Sequence, residues 1–309
     1  MYKYNKILVG LDNTEMDQNL IKSTADICKF SGSTIVYFVN VLREMNLPES
    51  IRKEFPDLLD QAIAERQKEL SKNVSKYFDD LNVEVVVNVV VDQGQVTKSL
   101  LKYAGKDKID LIVLGRKNEK KGGGVLVNRM ARRMACSLLI IPKGTELKIQ
   151  NVLVPTDFSD YSKKAMEKAV MLVKKSKNKS AKLIVQNVYQ VPVGYHYTGK
   201  SFKEFSEIMK DHAKKDFKQF IGSLNIEGIN VEQIYSLDKD EDIITDIYKN
   251  AKKVKANLII IGAKGRSATT ALFIGSKAEK LIQQDSEIPL LVVRPKGRIA
   301  GFMELIKEL

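Results

Sequence analysis

The residues in this sequence best suited to chemistry are glycines. The stretch Gly262-Ala263-Lys264-Gly265-Arg266-Ser267 follows directly on the apolar run Leu258–Ile261, and Gly275-Ser276-Lys277-Ala278-Glu279 closes the segment. Glycine admits backbone conformations closed to other residues and lets a ligand come close to the main chain. Ser276 is placed to open a helix whose free N–H groups and dipole favour an anion. Lys264 and Arg266 add positive charge. The chemistry such a set can do is to cradle phosphate. It matches neither G-x-x-x-x-G-K-[ST] nor G-x-G-x-x-G. A purely structural reading stands beside it: Gly262 and Gly265 as ordinary turn glycines, and Ser276 with Glu279 as a capping box that needs no ligand.

A second candidate is Asp157, in Val152-Leu153-Val154-Pro155-Thr156-Asp157-Phe158-Ser159. Its carboxylate accepts hydrogen bonds, for which an amino group on a ligand would serve. A turn or helix-cap aspartate is the alternative. Other chemistries find little support. No Ser-His-Asp order suggests a catalytic set, so none is assigned. His196 and His212 fall between the second and third strands of the second half, where Tyr195-His196-Tyr197 reads as a lid or as an exposed loop. With Cys28 and Cys136 they make a poor zinc set, and no metal is assigned.

The elements that must hold these residues repeat along the chain. Ile7-Leu8-Val9-Gly10-Leu11-Asp12 recurs as Val152-Leu153-Val154-Pro155-Thr156-Asp157. Asp110–Gly115 recurs as Asn257–Gly262, and Leu138–Gly144 as Leu290–Gly297. A period of roughly 150 residues is a duplicated domain and not a solenoid. The boundary falls near Lys148, giving domains 1–147 and 148–309. Each half alternates short apolar strands with helical patterns, among them a helix over Phe55–Phe78 in the first and one over Phe202–Ile221 in the second. Such strands are parallel and covered on both faces. The expectation is two tandem doubly wound, Rossmann-like α/β domains. Each has a five-stranded parallel sheet with helices on both faces and right-handed crossovers. Ligands in such sheets bind at the carboxyl ends of the strands, where the strand order reverses.

The spacing Gly262-x2-Gly265-x9-Gly275-Ser276 resembles the nucleotide signature of the universal stress proteins. Val154-Pro155-Thr156-Asp157-Phe158-Ser159 resembles the family's other hallmark, and the second-strand ending Gln186-Asn187-Val188 fits too, with Asn187 where the family often has histidine. The likeness covers nearly the whole chain as two tandem domains. It implies a protein that binds ATP, or AMP or ADP, in the second domain, with Mg²⁺ able to accompany the phosphates. Asp157 would accept from the adenine side, beside Pro155 and Thr156, and Val188 would meet the base through its backbone. Gly262 and Gly265, with Ile261, Lys264 and Arg266, would pass close to ribose and phosphates. Gly275, Ser276 and Lys277 would hold phosphate at the helix start.

The first half departs from this pattern. Asp12 and Gly115 are kept, while Asn118, Asn128 and Arg129 stand at the positions of the second glycine, third glycine and serine. Asn can adopt the left-handed conformation, but its side chain would crowd a phosphate. A repeat kept for packing, a different anion held by Arg129, and ordinary ATP binding are the readings left open.

The chain has 309 residues, 44% hydrophobic and 29% charged, which is globular composition. The net charge is +13, shared between the halves with no basic tail. The runs Lys174–Lys179 and Arg116–Lys121 carry no interleaved aromatics, so nucleic acid is not the expected partner. No apolar run has membrane length and the first residues lack a cleavage site, from which a soluble, cytoplasmic protein is expected. The last strands, Leu138–Ile141 and Leu290–Val293, are apolar edges that invite pairing. A pseudo-dimer of the two halves is therefore expected, with a homodimer also open. The tail Ile299, Phe302, Met303, Leu305, Ile306 and Leu309 is spaced as an amphipathic helix. The function expected is nucleotide binding in stress response or regulation, the alternatives being a slow ATPase or a non-catalytic scaffold.

Overall fold

The computed structural model describes residues 3–43, 48–92, 96–117, 124–176, 178–265, 274–284 and 287–295. Its contacts divide at residue 146 into two compact units.

In the first unit the strands are β1 (Lys6–Leu11), β2 (Ile35–Arg43), β3 (Glu84–Asp92), β4 (Leu111–Arg116) and β5 (Ser137–Pro142). They pair in parallel in the order β3-β2-β1-β4-β5. The helices are α1 (Met16–Ser31), α2 (Glu49–Glu54), α3 (Leu58–Phe78), α4 (Val96–Lys106) and α5 (Val125–Arg133). α1 packs on α3, and α4 on α5. The strand order reverses between β1 and β4, which opens the crevice expected of this topology. The apolar runs become the core: Ile7, Leu8, Val9, Leu111, Ile112, Val113, Leu138 and Leu139 have no exposed surface.

The second unit repeats this plan with β6 (Asn151–Pro155), α6 (Asp160–Lys175), β7 (Lys182–Tyr189), α7 (Phe202–Gly222), β8 (Asn230–Leu237), α8 (Ile243–Lys253), β9 (Leu258–Gly262), α9 (Ser276–Gln283) and β10 (Leu290–Val293). The parallel order is β8-β7-β6-β9-β10. His196 sits in a short 3-10 turn, Tyr195–Thr198, ahead of α7, and His212 within α7.

Two local features differ from the sequence pattern. The long helix predicted from Phe55 starts instead at Leu58, after the separate α2. Pro56 is the reason: it disfavours helical backbone at the preceding residue, and Phe55 sits at φ −128°, ψ 71°. The second is the start of α9. Its N-cap is Gly275, so Ser276 is already the first helical residue, and no side-chain cap bond is made. The Ser276–Glu279 capping box is therefore not formed, because its serine must be the N-cap itself.

Candidate functional site

In the second unit the chain leaves β6 through Thr156 and Asp157 and enters α6 at Ser159. Ser159 caps that helix, its hydroxyl accepting from the Ser162 amide. Asp157 is locked by this turn. Its Oδ1 accepts from the Ser159 amide at 3.1 Å, from the Ser159 hydroxyl at 2.6 Å and from the Ser162 hydroxyl at 2.6 Å. Phe158 between them has φ 62°, a left-handed conformation costly for a bulky side chain, and its ring packs edge-on against Phe220. The same turn recurs in the first unit, where Asn13 has φ 63°. The aspartate is thus a turn residue, as its structural reading has it, and the turn fixes where its other oxygen points.

That direction is toward the glycines. A Cβ on Gly265 would lie 2.6 Å from Asp157 Oδ2. A Cβ on Gly262 would lie 2.7 Å from the carbonyl carbon and oxygen of Tyr161, in the first turn of α6. A Cβ on Gly275 would lie 3.2 Å from Lys264 Cα, and the Gly275 amide donates to the Ala263 carbonyl at 2.8 Å. None of the three has the positive φ that sequence reasoning invokes for glycine. Gly275, at φ −72° and ψ 148°, has an ordinary extended backbone. What these positions require is close approach: Gly262 seats α6 on β9, Gly265 leaves room for a carboxylate, and Gly275 ties the start of α9 to the end of β9.

Val188 joins the same edge through its neighbour. Asn187, buried, donates from Nδ2 to the Thr156 carbonyl at 2.9 Å, and the Thr156 amide donates to the Gln186 carbonyl at 2.8 Å. In the first unit Asn40 donates to the Leu11 carbonyl at 2.8 Å in the same way. This paired asparagine stitches the first strand to the second in both units; the repeat of Asn40 and Asn187 in the sequence is the signal that could have found it. Pro155 and Thr156 end β6, and Ile261, buried, precedes Gly262 in β9. Ser276 and Lys277 are exposed at the start of α9. Arg266 and Asn118 lie outside the described residues.

Lys264 is buried, and its ammonium sits over the Tyr161 ring, 5.9 Å from the centroid. Burial, and then the neighbouring Arg294 charge, lower its pKa from the ordinary lysine value. Both effects disfavour a positive charge here, and both would be relieved by an anion. The residues fit a nucleotide in three respects: a carboxylate with a fixed orientation, an α9 N-terminus without a side-chain cap, and buried positive charge nearby. For Mg²⁺ the fit is weaker, since no group of three or more His, Cys, Asp or Glu stands together among the described residues.

The first unit builds the same edge differently. Asp12 Oδ1 accepts from the Thr14 hydroxyl at 2.6 Å, but Oδ2 is ion-paired with Lys117 at 2.8 Å. Asp17 stands where Ser162 does, and its carboxylate accepts from the Asp12 and Asn13 amides, both at 3.0 Å. The buried Arg66 guanidinium reaches Asp17 at 3.3 Å. Burial nevertheless raises the Asp17 pKa above the ordinary carboxylate value, outweighing those partners. Gly115 keeps its packing role, with a Cβ there meeting Met16 Cε at 2.5 Å. Helix α5 begins at Val125 with Gly124 as N-cap at φ 91°. Asn128 and Arg129 therefore lie one turn inside α5, and the residues that meet the helix start are Gly124, Val125 and Leu126. Fixed spacing from Gly115 misses this, because the loop before α5 is shorter than the loop before α9. At the carboxyl edge is a cavity of about 80 Å³, lined by Leu11, Val39, Val41, Leu100, Leu114 and Leu126 among others.

Two copies of this plan, each with its strand-one aspartate facing the loop after the fourth strand, coincide with one family model. The universal stress protein family matches over residues 3–142 and again over 148–294. The chain belongs to the universal stress protein family. It is similar to the universal stress protein MJ0531 of Methanocaldococcus jannaschii, 28% identical over 157 residues, or 50% of this chain and 87% of that one. A universal stress protein of Thermus aquaticus is 28% identical over 145 residues, 47% of this chain and 98% of that one. Among solved structures, a universal stress protein from Archaeoglobus fulgidus superposes with a TM-score of 0.66 at 18% identity, covering 95% of this chain and 99% of that one. The functionally unknown protein PA1789 of Pseudomonas aeruginosa gives 0.64 at 15% identity, covering 99% and 98%. At these identities the structural likeness speaks to the tandem fold. No helix among the described residues is long and apolar enough to cross a membrane.

Proposed function

We propose that this universal stress protein binds one adenine nucleotide, ATP or AMP, in its second unit, and that occupancy serves regulation in the stress response. The observation that carries the reading is the convergence of Asp157 Oδ2, Gly265 and Gly275 at the carboxyl edge of β6 and β9. Asp157 accepts from the adenine side, the Val188 backbone meets the base, and the sugar and phosphates run along Ile261, Gly262 and Gly265. Gly275, Ser276 and Lys277 hold phosphate at the start of α9, with the helix dipole adding to the attraction. Lys264 and Arg266 contribute positive charge, and Mg²⁺ accompanies the phosphates only as part of the ligand.

A ligand that binds only the folded state raises stability by RT ln(1 + [L]/Kd), about 2.7 kcal/mol at a hundredfold excess over Kd. Calorimetry and thermal unfolding with ATP test the proposal. One site per chain and a rise in Tm, both lost in Asp157→Ala, are the expected outcome. Two equivalent sites, or no heat and no shift at millimolar ATP, refute it. ADP production near the ~10 s⁻¹ typical of metabolic enzymes would make the protein an ATPase and not a binding module.

A further inference from the structure

We propose that the carboxyl-edge crevice of the first unit takes the end of an unbranched aliphatic chain in place of a nucleotide. The crevice occupies the position of the nucleotide site in the second unit, but its walls have changed character. Leu11 stands where the second unit has Thr156, and Val39 where it has Gln186, by the strand registers. At the helix start, Val125 and Leu126 follow the N-cap Gly124 where Ser276 and Lys277 follow the N-cap Gly275. Leu11, Val125 and Leu126 therefore put hydrocarbon where the second unit has Thr156, Ser276 and Lys277, while Lys117 keeps the cation of Lys264.

The carboxylate that lines the crevice is engaged by that cation. Asp12, which lines the crevice, is paired with Lys117 and Thr14, so presenting its carboxylate to an adenine would mean breaking a 2.8 Å ion pair. Size points the same way. The space is about 80 Å³, roughly half of the ~150 Å³ apolar cavity that accepts benzene, and far below the 300–1,000 Å³ typical of sites for larger ligands. A chain end fits, and the rest of the molecule would extend past Val125, which is 45% exposed beside Leu126. A water placed in such a space would find few partners, so apolar matter is favoured there. This inference does not depend on nucleotide binding in the second unit.

The test is methyl NMR on the full chain, titrated separately with 1-decanol, xenon and ATP. Decanol and xenon should shift the methyls of Val39, Val41, Leu114 and Leu126 saturably, while ATP leaves them in place. The double variant Val125→Ser, Leu126→Lys, which installs the second unit's residues, should weaken decanol binding at least tenfold. Absence of saturable shifts with both apolar probes overturns the proposal. So do shifts of these methyls by ATP, or decanol binding that the double variant leaves intact. Should the double variant fail to fold, the wild-type titrations decide.

Discussion

Substituting each motif glycine by alanine separates packing from ligand binding, because the three added methyl groups would meet different neighbours. In Gly262→Ala the new Cβ would lie 2.7 Å from main-chain atoms of Tyr161, against an ordinary contact of 3.4 Å or more. The first turn of α6 would have to lift off β9 by several tenths of an ångström. Overpacking costs ~1–3 kcal/mol, and a rigid backbone neighbour puts this case near ~3. For about 150 residues that is a Tm loss of roughly 6–12 °C. In Gly265→Ala the neighbour is Asp157 Oδ2 at 2.6 Å, on a carboxylate whose other oxygen accepts three hydrogen bonds. Displacing it sacrifices about one charged hydrogen bond, ~1.5–3 kcal/mol, partly offset by the ~0.4–1 kcal/mol gained from a stiffer unfolded chain. In Gly275→Ala the closest atom is the Lys264 Cα at 3.2 Å, a tight but not forbidden contact, and alanine adopts the backbone but caps the helix less well than glycine, so a smaller loss of about 1 kcal/mol is expected. The order of Tm loss is therefore Gly262 first, Gly265 second, Gly275 least. Nucleotide affinity should be hurt by Gly265→Ala and Gly275→Ala, and abolished by Gly275→Val, whose branched side chain blocks the phosphate approach. Thermal scans of the three alanine variants, each with and without ATP, provide the assay. Equal losses at all three positions, or an unimpaired Gly262→Ala, would refute the packing argument.

Other expectations follow from single side chains. A lysine whose pKa is lowered by folding binds fewer protons in the native state than in the unfolded chain, so its destabilising effect is complete below the folded pKa and fades as pH rises toward 10.5. Lys264→Met should thus raise the Tm of the ligand-free protein at pH 7, by an amount that shrinks near pH 10; a variant less stable than wild type at pH 7 would contradict this. Cys28 is buried and its thiol is pushed up to about 12, so it should resist iodoacetamide at pH 8 until the protein is unfolded, as mass spectrometry of labelled peptides would show. Asn187→Leu deprives the Thr156 carbonyl of a buried donor and should cost about 1–3 kcal/mol in urea unfolding. An effect below ~0.5 kcal/mol would mean that the stitch between β6 and β7 is dispensable.

Much of this architecture is readable from apolar runs and their recurrence. Ile7–Leu11, Leu111–Leu114 and Leu138–Ile141, with their second-half counterparts, are continuous hydrophobic segments whose shortness and β-branched content favour strands buried on both faces, and the order of the elements follows from them. The glycine spacing and the aspartate after each first strand identify the edge where a ligand would sit. Periodicity and spacing are local, and they run out where contacts form between distant segments. That Gly265 faces Asp157, that Ser162 and Asp17 both accept from the turn aspartate's amide while Ser162 alone donates back to its carboxylate, and that Lys264 is buried over Tyr161 while Lys117 pairs with Asp12 all depend on how α1 or α6 lies against the fourth strand of its sheet. The helix starts show the same limit. Counting from Gly115 lands on Asn128, whereas the shorter loop of the first unit starts α5 at Val125 and brings Leu126 to the crevice. Loop length does not alter hydrophobic pattern, so only the packed structure decides which side chains line the edge, here Leu126 in the first unit where the sequence count points to Asn128.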